Sequence, residues 1–152
     1  MRKYILLVLY LAAVCTIIYS CQSASEMEQA KYLTGGKDIY IANCQNCHGV
    51  NGEGLGELAP PLTDTVFLKE NKSQLACLIK HGANKPMLVN GKTYHEKMPA
   101  FEHLENMDIA QVIVYITNSF GNKQGMYAHQ AVEADLINCN STKQSPEGKI
   151  SR

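Results

Sequence analysis

The stretch "NCQNCHGV", residues 43–50, decides how this sequence is interpreted. It places Cys44 and Cys47 three positions apart, and His48 follows the second cysteine directly. Cysteines at this spacing serve three chemistries in proteins: they bind a structural metal, exchange a disulfide, or attach a cofactor covalently. The rest of the sequence has to distinguish between the three.

The three chemistries require different surroundings. A structural zinc site needs four ligands, but this stretch supplies at most three, and the sequence has no second C-x-x-C or H-x-x-x-H pattern. A thioredoxin-like C-x-x-C follows a strand, whereas here a predicted helix precedes the motif and a glycine-rich loop follows it. Covalent haem attachment uses C-x-x-C-H, which is matched in full. The motif therefore favours one haem c, attached through Cys44 and Cys47, with His48 as the proximal iron ligand.

An electron-carrying haem takes a second axial ligand, usually a methionine, whose thioether favours the ferrous state. The candidates in this sequence are Met87, Met98, Met107, His81, His95 and His103. Met98 lies in a predicted loop, precedes Pro99 and stands 50 residues after His48. We predict that Met98 is the distal ligand and that the other candidates pack or are solvated.

Hydrophobic spacing predicts three helices. The first begins near Gly35 or Lys37 and runs to the motif, the second covers residues 72–82, and the third covers 107–119 with Asn106 as its N-cap. The predicted buried positions of the second and third helices are Leu75, Leu78, Ile79, Ile109, Val112, Ile113 and Ile116.

Residues outside these helices are predicted to be loops or tail. Residues 85–101 form a loop in which Asn90 and Gly91 predict a tight turn, consistent with a small hairpin. Gly121 is predicted to end the third helix. Residues 122–152 form a C-terminal extension that is partly disordered, with a short helix in "QGMYAHQAVEADLINC".

The motifs "CQNCH", "APPL", "VNGKTY", "MPAF" and "DIAQVIVYITNSFG" together resemble a class I cytochrome c of the bacterial monohaem type, over residues 31–121. The resemblance implies an all-α cytochrome c fold. In that fold about three to five helices surround a covalently bound haem, and the N- and C-terminal helices pack crosswise.

Several site residues follow from this resemblance. The backbone carbonyl of Pro60 is expected to accept a hydrogen bond from Nδ1 of the haem histidine, which fixes the ring and makes it more basic. Gly36 and Tyr40 are expected to pack the N-terminal helix on the C-terminal one. Tyr115 is the expected aromatic partner on that last helix.

The N-terminus predicts export. Arg2 and Lys3 precede an uncharged apolar run, residues 4–19, that is shorter than a spanning helix usually requires. "IYSC", residues 18–21, resembles a bacterial lipobox, so residues 1–20 are interpreted as a lipoprotein signal peptide. Cys21 is then the lipid-bearing residue and residues 21–30 are a tether. The alternative is an uncleaved anchor helix. Both interpretations put the domain at the periplasmic face of a bacterial membrane.

Cys77 and Cys139 are the remaining cysteines of the exported chain. An oxidising envelope permits a disulfide between them. The alternative is a buried small side chain at the first position and a free thiol at the second, and the sequence leaves the two open.

The composition limits the classes of function. The formal net charge is 0 and no basic patch occurs, which argues against nucleic-acid binding. No group is poised as a nucleophile or acid/base, so we expect an electron carrier and not an enzyme. The resemblance implies redox partners such as a terminal oxidase, a nitrite reductase or a membrane dehydrogenase. Alternatives are a haem sensor or peroxidase-like domain with a labile sixth ligand, and a haem subunit of a larger membrane oxidoreductase.

Overall fold

The structure, a computed structural model, describes the backbone of residues 2–141 and the side chains of residues 2–17 and 24–139. The chain divides into two units after Lys31. The first unit is helical throughout its described residues. Over the described part of the chain, no helix is both long enough and apolar enough to cross a membrane. The predicted lipid-bearing Cys21 lies outside the described side chains.

Helix α1, Arg2–Asn43, begins far before the predicted start near Gly35. The reason is visible in the sequence, because no proline or glycine interrupts residues 2–34 and nothing there stops a helix. The pair Gly35 and Gly36 does not end the helix either. Both glycines face helix α5, and this tertiary contact outweighs their low intrinsic helix propensity.

Three short helices follow the first. Helix α2, Gln45–His48, is a single turn that contains most of the motif. Helix α3, Thr65–Glu70, was not predicted, although its N-cap signal is present: the Asp64 carboxylate accepts hydrogen bonds from two backbone N–H groups of the first turn. Helix α4, Lys72–His81, confirms the second predicted helix, and its C-cap is Gly82, which has a positive φ of 74°.

A two-stranded hairpin confirms the predicted turn. Strands β1, Met87–Val89, and β2, Lys92–Tyr94, pair antiparallel. Asn90 and Gly91 connect them with φ values of 50° and 71°, which Asn and Gly tolerate better than other residues. Val89 and Tyr94 are the buried residues of the hairpin, and Met87 packs against the core of the helices.

Helix α5, Asn106–Asn118, confirms the third predicted helix with shifted ends. The N-cap is Glu105 and not Asn106, because Glu105 and Asp108 form a reciprocal capping box at this position. The helix ends at Asn118, before Gly121, and Ser119 is already extended. All four apolar positions predicted to be buried on this helix are buried.

Helix α6, His129–Ser141, lies in the predicted C-terminal extension and contacts both α4 and α5. Val132 and Leu136 on α6 are buried in the common core. Cys139 on α6 forms a disulfide with Cys77 in the middle of α4, and their Cα atoms are 6.0 Å apart. Residues 122–141 therefore pack as an integral part of the second unit, whereas the predicted disordered end lies outside the described residues.

One buried side-chain amide, that of Asn122, holds the segment between α5 and α6. Asn122 is only 1 % exposed, and its side-chain Nδ2 donates to the backbone carbonyls of Leu62 and Ile116 at 2.8 and 3.0 Å. Its Oδ1 accepts from the Thr65 hydroxyl at 2.8 Å. Asn122 thus connects the end of α5 to the loop and helix that precede α4.

The fold is all-α apart from the small hairpin. The described residues contain six helices, one more than the upper end of the predicted three to five, because α2 is a single turn and α6 extends the domain. Buried apolar side chains of α1, α3, α4, α5 and α6 form one continuous core, which includes Tyr40, Leu68, Leu75, Ile79, Ile109, Ile113 and Val132.

Helices α1 and α5 approach closely at Gly36. A Cβ atom added there would lie 2.6 Å from the backbone carbonyl carbon of Gln111 and 2.8 Å from Cβ of Tyr115. Carbon atoms in ordinary contact are about 3.5–4.0 Å apart. Only glycine therefore fits at position 36, and this contact brings the segment before the motif against the last helix of the predicted cytochrome domain.

Candidate functional site

A largely apolar cavity opens beside the motif. It encloses about 1110 Å³ of empty space including its open mouth, which is large enough for a cofactor by the usual pocket range of roughly 300–1,000 Å³. The walls come from the motif, the loop after it, α3, α4, α5, the hairpin and the loop before α5. The apolar wall residues include Leu58, Leu62, Phe67, Leu68, Leu75, Leu78, Ile79, Phe101, Val112 and Ile116.

The motif forms one edge of this cavity. Cys44, Cys47 and His48 all line it, and neither motif cysteine is in a disulfide. The single turn α2 brings them together, because the backbone N–H groups of Cys47 and His48 both donate to the carbonyl of Cys44, at 3.1 and 2.9 Å. The two thiols and the imidazole therefore meet the cavity from one compact turn.

The electrostatics of Cys44 argue against a redox-active C-x-x-C. Burial, and to a lesser extent the neighbouring Cys47, raises the pKa of Cys44 to about 11. Cysteines that exchange disulfides have lowered pKa values, which keep the thiolate available. The raised pKa of Cys44 is the opposite of the shift that thiol exchange requires.

The His48 ring is oriented by a backbone carbonyl. Its Nδ1 lies 2.9 Å from the carbonyl oxygen of Pro60, the residue that the family resemblance pointed to. This contact identifies Nδ1 as the protonated nitrogen, since a carbonyl only accepts, and leaves the Nε2 lone pair for a metal. Burial lowers the pKa of His48, which the hydrogen bond from Nδ1 to Pro60 partly opposes. The imidazole is therefore neutral at neutral pH, the form that binds iron.

The loop after the motif places Pro60 through its own hydrogen bonds. The N–H of Gly54 donates to the His48 carbonyl at 2.8 Å, and the N–H of Leu62 donates to the Gly52 carbonyl at 2.7 Å. Gly54 has a φ of 77°, and a Cβ added to it would lie 2.9 Å from the carbonyl carbon of Pro60. The glycine-rich loop is thus folded tightly back on the motif and fixes the Pro60 carbonyl beside the ring.

Met98 lines the same cavity from the loop between β2 and α5. Its backbone N–H and carbonyl form two hydrogen bonds of 3.0 Å with Ala83, directly after α4. Met87 is the only other residue among the six candidates for the distal ligand that also lines the cavity. The four others, all exposed, are His81, His95, His103 and Met107.

An aromatic cluster connects the motif to the packing of α1 against α5. The ring centroids of Tyr40, Tyr115 and Phe120 lie 5.3 to 5.6 Å apart. The Tyr40 hydroxyl donates to the carbonyl of Gly49, immediately after the motif, at 2.6 Å. Burial is the main reason that the pKa of Tyr40 is raised, so the hydroxyl stays protonated and remains a donor.

Two contributors to the site were not identified in the sequence. Phe120 has a positive φ of 57° and its ring packs where a Cβ on Gly52 would lie, so it supports the loop after the motif. Ala83 fixes the Met98 backbone but carries no chemical signal of its own. The "SFG" sequence at the end of α5 could have drawn attention to Phe120, whereas nothing in the sequence distinguishes Ala83.

These residues fit a covalently bound haem. Two thiols and a neutral imidazole with a free Nε2 meet one edge of an apolar cavity, and a thioether side chain lines it as well. Zinc would require further nitrogen or sulfur ligands, and a thiol exchanger would require a lowered thiol pKa. The donor set and the apolar walls are those of a c-type haem site.

Comparison with known proteins agrees with this site. The profile of the cytochrome c family matches residues 33–119, more than half of the chain. The chain belongs to the cytochrome c family. Its cytochrome c domain accordingly binds one covalent haem c.

Two kinds of relatives were found. The cytochrome c subunit of a quinone alcohol dehydrogenase from Gluconacetobacter polyoxogenes is 34% identical over 90 residues, which cover 58% of this chain and 19% of the relative. The corresponding subunit from Gluconobacter oxydans is 29% identical over 89 residues. Cytochrome c-552 from Thermus thermophilus is 32% identical over 106 residues, which cover 67% of this chain and 80% of the relative. The match thus spans about a fifth of the dehydrogenase subunits.

Proposed function

We propose that this chain is an exported, lipid-anchored monohaem cytochrome c that carries single electrons from a membrane dehydrogenase, with His48 and Met98 as axial ligands. The observation that carries the proposal is that Cys44, Cys47, His48 and Met98 line one and the same apolar cavity. A bound haem supplies one-electron chemistry there, since its iron accepts and releases one electron.

The protein's own residues supply attachment, orientation and exclusion of water. Cys44 and Cys47 hold the haem covalently, and Pro60 fixes the His48 ring through Nδ1. The apolar walls lower the local dielectric and keep water from the iron. The Met98 thioether favours the ferrous state and raises the reduction potential. In this proposal His48 and Met98 would both remain ligands in the ferric and the ferrous protein.

The assignment of Met98 is tested by the absorbance of the ferric protein. A thioether bound to ferric haem gives a long-wavelength sulfur-to-iron band, which we expect in the wild-type protein and not in Met98→Leu. Met87→Leu is the matched control, because Met87 also lines the cavity. Met107→Leu controls for loss of a methionine at an exposed position. A band that survives in Met98→Leu but disappears in Met87→Leu would reverse the assignment.

The choice of partner rests on the relatives that are cytochrome c subunits of a quinone alcohol dehydrogenase. We propose a membrane dehydrogenase as the electron donor, and a terminal oxidase or nitrite reductase as less favoured partners. The test is stopped-flow reduction of the ferric protein by membranes containing a quinone-dependent alcohol dehydrogenase. The ferric protein should be reduced only when the alcohol is present. Equal reduction without alcohol would contradict this choice.

The anchor proposal rests on the basic Arg2 and Lys3, the apolar run and the lipobox-like "IYSC". The mature protein is expected to begin at Cys21 and to carry lipid. Intact mass measures both features, and Cys21→Ser should abolish the lipid mass and release the protein from membranes. Cys15→Ser is the matched control, since it removes the other cysteine of the N-terminal segment. A mature mass that retains residues 1–20 would favour an uncleaved anchor.

A further inference from the structure

The Met98 loop is attached to the end of α4. Met98 pairs with Ala83 through two backbone hydrogen bonds, and the N–H of Phe101 donates to the carbonyl of Ile79 at 3.0 Å. Lys80 Nζ donates to the carbonyls of Glu102 and Leu104 at 2.7 and 2.8 Å. Five hydrogen bonds thus connect residues 79–83 to the segment that carries the proposed ligand.

The position of α4 therefore controls the position of Met98. Helix α4 has ten residues, and isolated helices shorter than about 12–15 residues are marginal in water. Its placement must come from tertiary contacts. Helix α5 contacts it within the family match, and α6 contacts it from residues 129–141, outside that match.

The contact from α6 is covalent. The disulfide joins Cys139, near the end of α6, to Cys77, which lies two residues before Ile79 on α4. Val132 is fully buried and Leu136 nearly so, which holds α6 in the core along its length. The helix that bears the Met98 attachments is therefore fixed to an element that lies beyond the matched cytochrome c region.

We propose that α6 and the Cys77–Cys139 disulfide are positioning elements for the sixth haem ligand: they hold α4, and through α4 they keep the Met98 thioether on the iron. The proposal rests on the proposed ligation by Met98. It assigns to residues 122–141 a role in the haem chemistry beyond stabilising the fold. Neither cysteine touches the haem in this proposal.

The test uses the full-length holoprotein with the double substitution Cys77→Ser and Cys139→Ser. Far-UV circular dichroism first establishes that the variant is folded. Two properties are then measured: the pH at which the ferric sulfur-to-iron band is lost, and the rate of carbon monoxide binding to the ferrous protein. We expect the band to be lost at lower pH and carbon monoxide to bind about 2-fold to 30-fold faster, the range by which mutations typically change the coupling between sites. Ile137→Ala, an exposed change on α6, is the matched control and should alter neither property.

A purely structural disulfide would behave differently. It would lower the unfolding midpoint but leave the band and the carbon monoxide rate of the folded protein at wild-type values, and that result overturns the proposal while Met98 ligation stands. If the ferric wild-type protein shows no sulfur-to-iron band that depends on Met98, the proposed ligation by Met98 is wrong and this inference fails with it. If the double variant does not fold, the wild-type disulfide is reduced with a phosphine, the thiols are alkylated, and the carbon monoxide rate of the ferrous protein is measured. An unchanged rate there also overturns the proposal.

Discussion

The close approach of α1 and α5 predicts that Gly36→Ala is strongly destabilising whereas Gly35→Ala is not. A Cβ at Gly36 meets the backbone carbonyl carbon of Gln111 at 2.6 Å, and backbone cannot rotate away. A Cβ at Gly35 meets the side chain of the same Gln111, with its Cδ at 2.8 Å, and this side chain can adopt another rotamer. The two adjacent positions therefore test main-chain contact against side-chain contact.

The magnitude follows from the distances. Relief of a 2.6 Å contact to about 3.5 Å moves the helices apart by about 0.9 Å, which forfeits a quarter to a half of the dispersion attraction at neighbouring contacts. Overpacking of this kind costs about 1–3 kcal/mol, and the rigid backbone partner puts Gly36→Ala at the upper end. Alanine regains about 1 kcal/mol of helix propensity at either position. We therefore expect Gly36→Ala to lower the free energy of unfolding by about 2 kcal/mol, and Gly35→Ala to leave it near the wild-type value.

The assay is unfolding in guanidinium chloride, followed by far-UV circular dichroism of the holoprotein. The two variants share the propensity gain, so the difference between their free energies of unfolding isolates the steric term. We expect a difference of about 2–3 kcal/mol. Values that agree within about 0.5 kcal/mol would refute the packing argument, because they would mean that the helices separate at no cost.

Three further predictions concern residues 122–141 and their partners. Asn122→Ala should lower the free energy of unfolding by about 2–3 kcal/mol, because it leaves buried backbone carbonyls without donors. Replacing Cys77 and Cys139 by serine should lower it by about 4 kcal/mol, from the entropy of a loop closed across 62 residues. Burial and the hydrogen bond to Asp135 raise the pKa of Tyr127 above its ordinary 10.0, so the unfolded chain ionises first and stability should fall as pH rises above that value. Tyr127→Phe should reduce this alkaline dependence, and the part that remains belongs to Tyr40, whose pKa burial also raises.

Each of these predictions has its own control. Asn51→Ala replaces an exposed asparagine and should change unfolding by less than about 0.5 kcal/mol. For the disulfide, the wild-type protein after reduction and alkylation should match the double serine variant, and a stability equal to the oxidised protein would contradict the loop argument. For Tyr127, parallel alkaline slopes in wild type and Tyr127→Phe would mean that another group titrates.

Much of the fold was predictable because its signals are local. Helices α4 and α5 were found from apolar residues at helical spacing, and the hairpin from the Asn90-Gly91 pair, since a turn requiring positive φ favours those residues. The ends of the helices were less predictable than the helices themselves. The capping box moved the N-cap of α5 to Glu105, and α1 extended through Gly35 and Gly36 because α5 packs there, a contact that no local pattern contains.

The site residues likewise separate into those that a local sequence pattern predicts and those whose role depends on tertiary contacts. Cys44, Cys47 and His48 are contiguous on one turn, so the sequence alone predicted the haem attachment. Pro60 came from the family resemblance, and its contact with His48 depends on a loop folded back by its glycines. Phe120 was missed because its role depends on a ring packed against Gly52 from a distant part of the chain.

The sequence by itself determined the C-x-x-C-H turn for which we propose haem attachment, and the apolar spacing from which α4 and α5 build the core. Tertiary structure decided which residues line the cavity proposed to hold the haem. It narrowed six candidate distal ligands to the two methionines that line the cavity, and it joined Cys77 to Cys139 across a sequence separation of 62. The physical reason is that attachment chemistry resides in neighbouring residues, whereas a cavity wall and a disulfide require distant segments to meet, and their meeting depends on how all the helices pack.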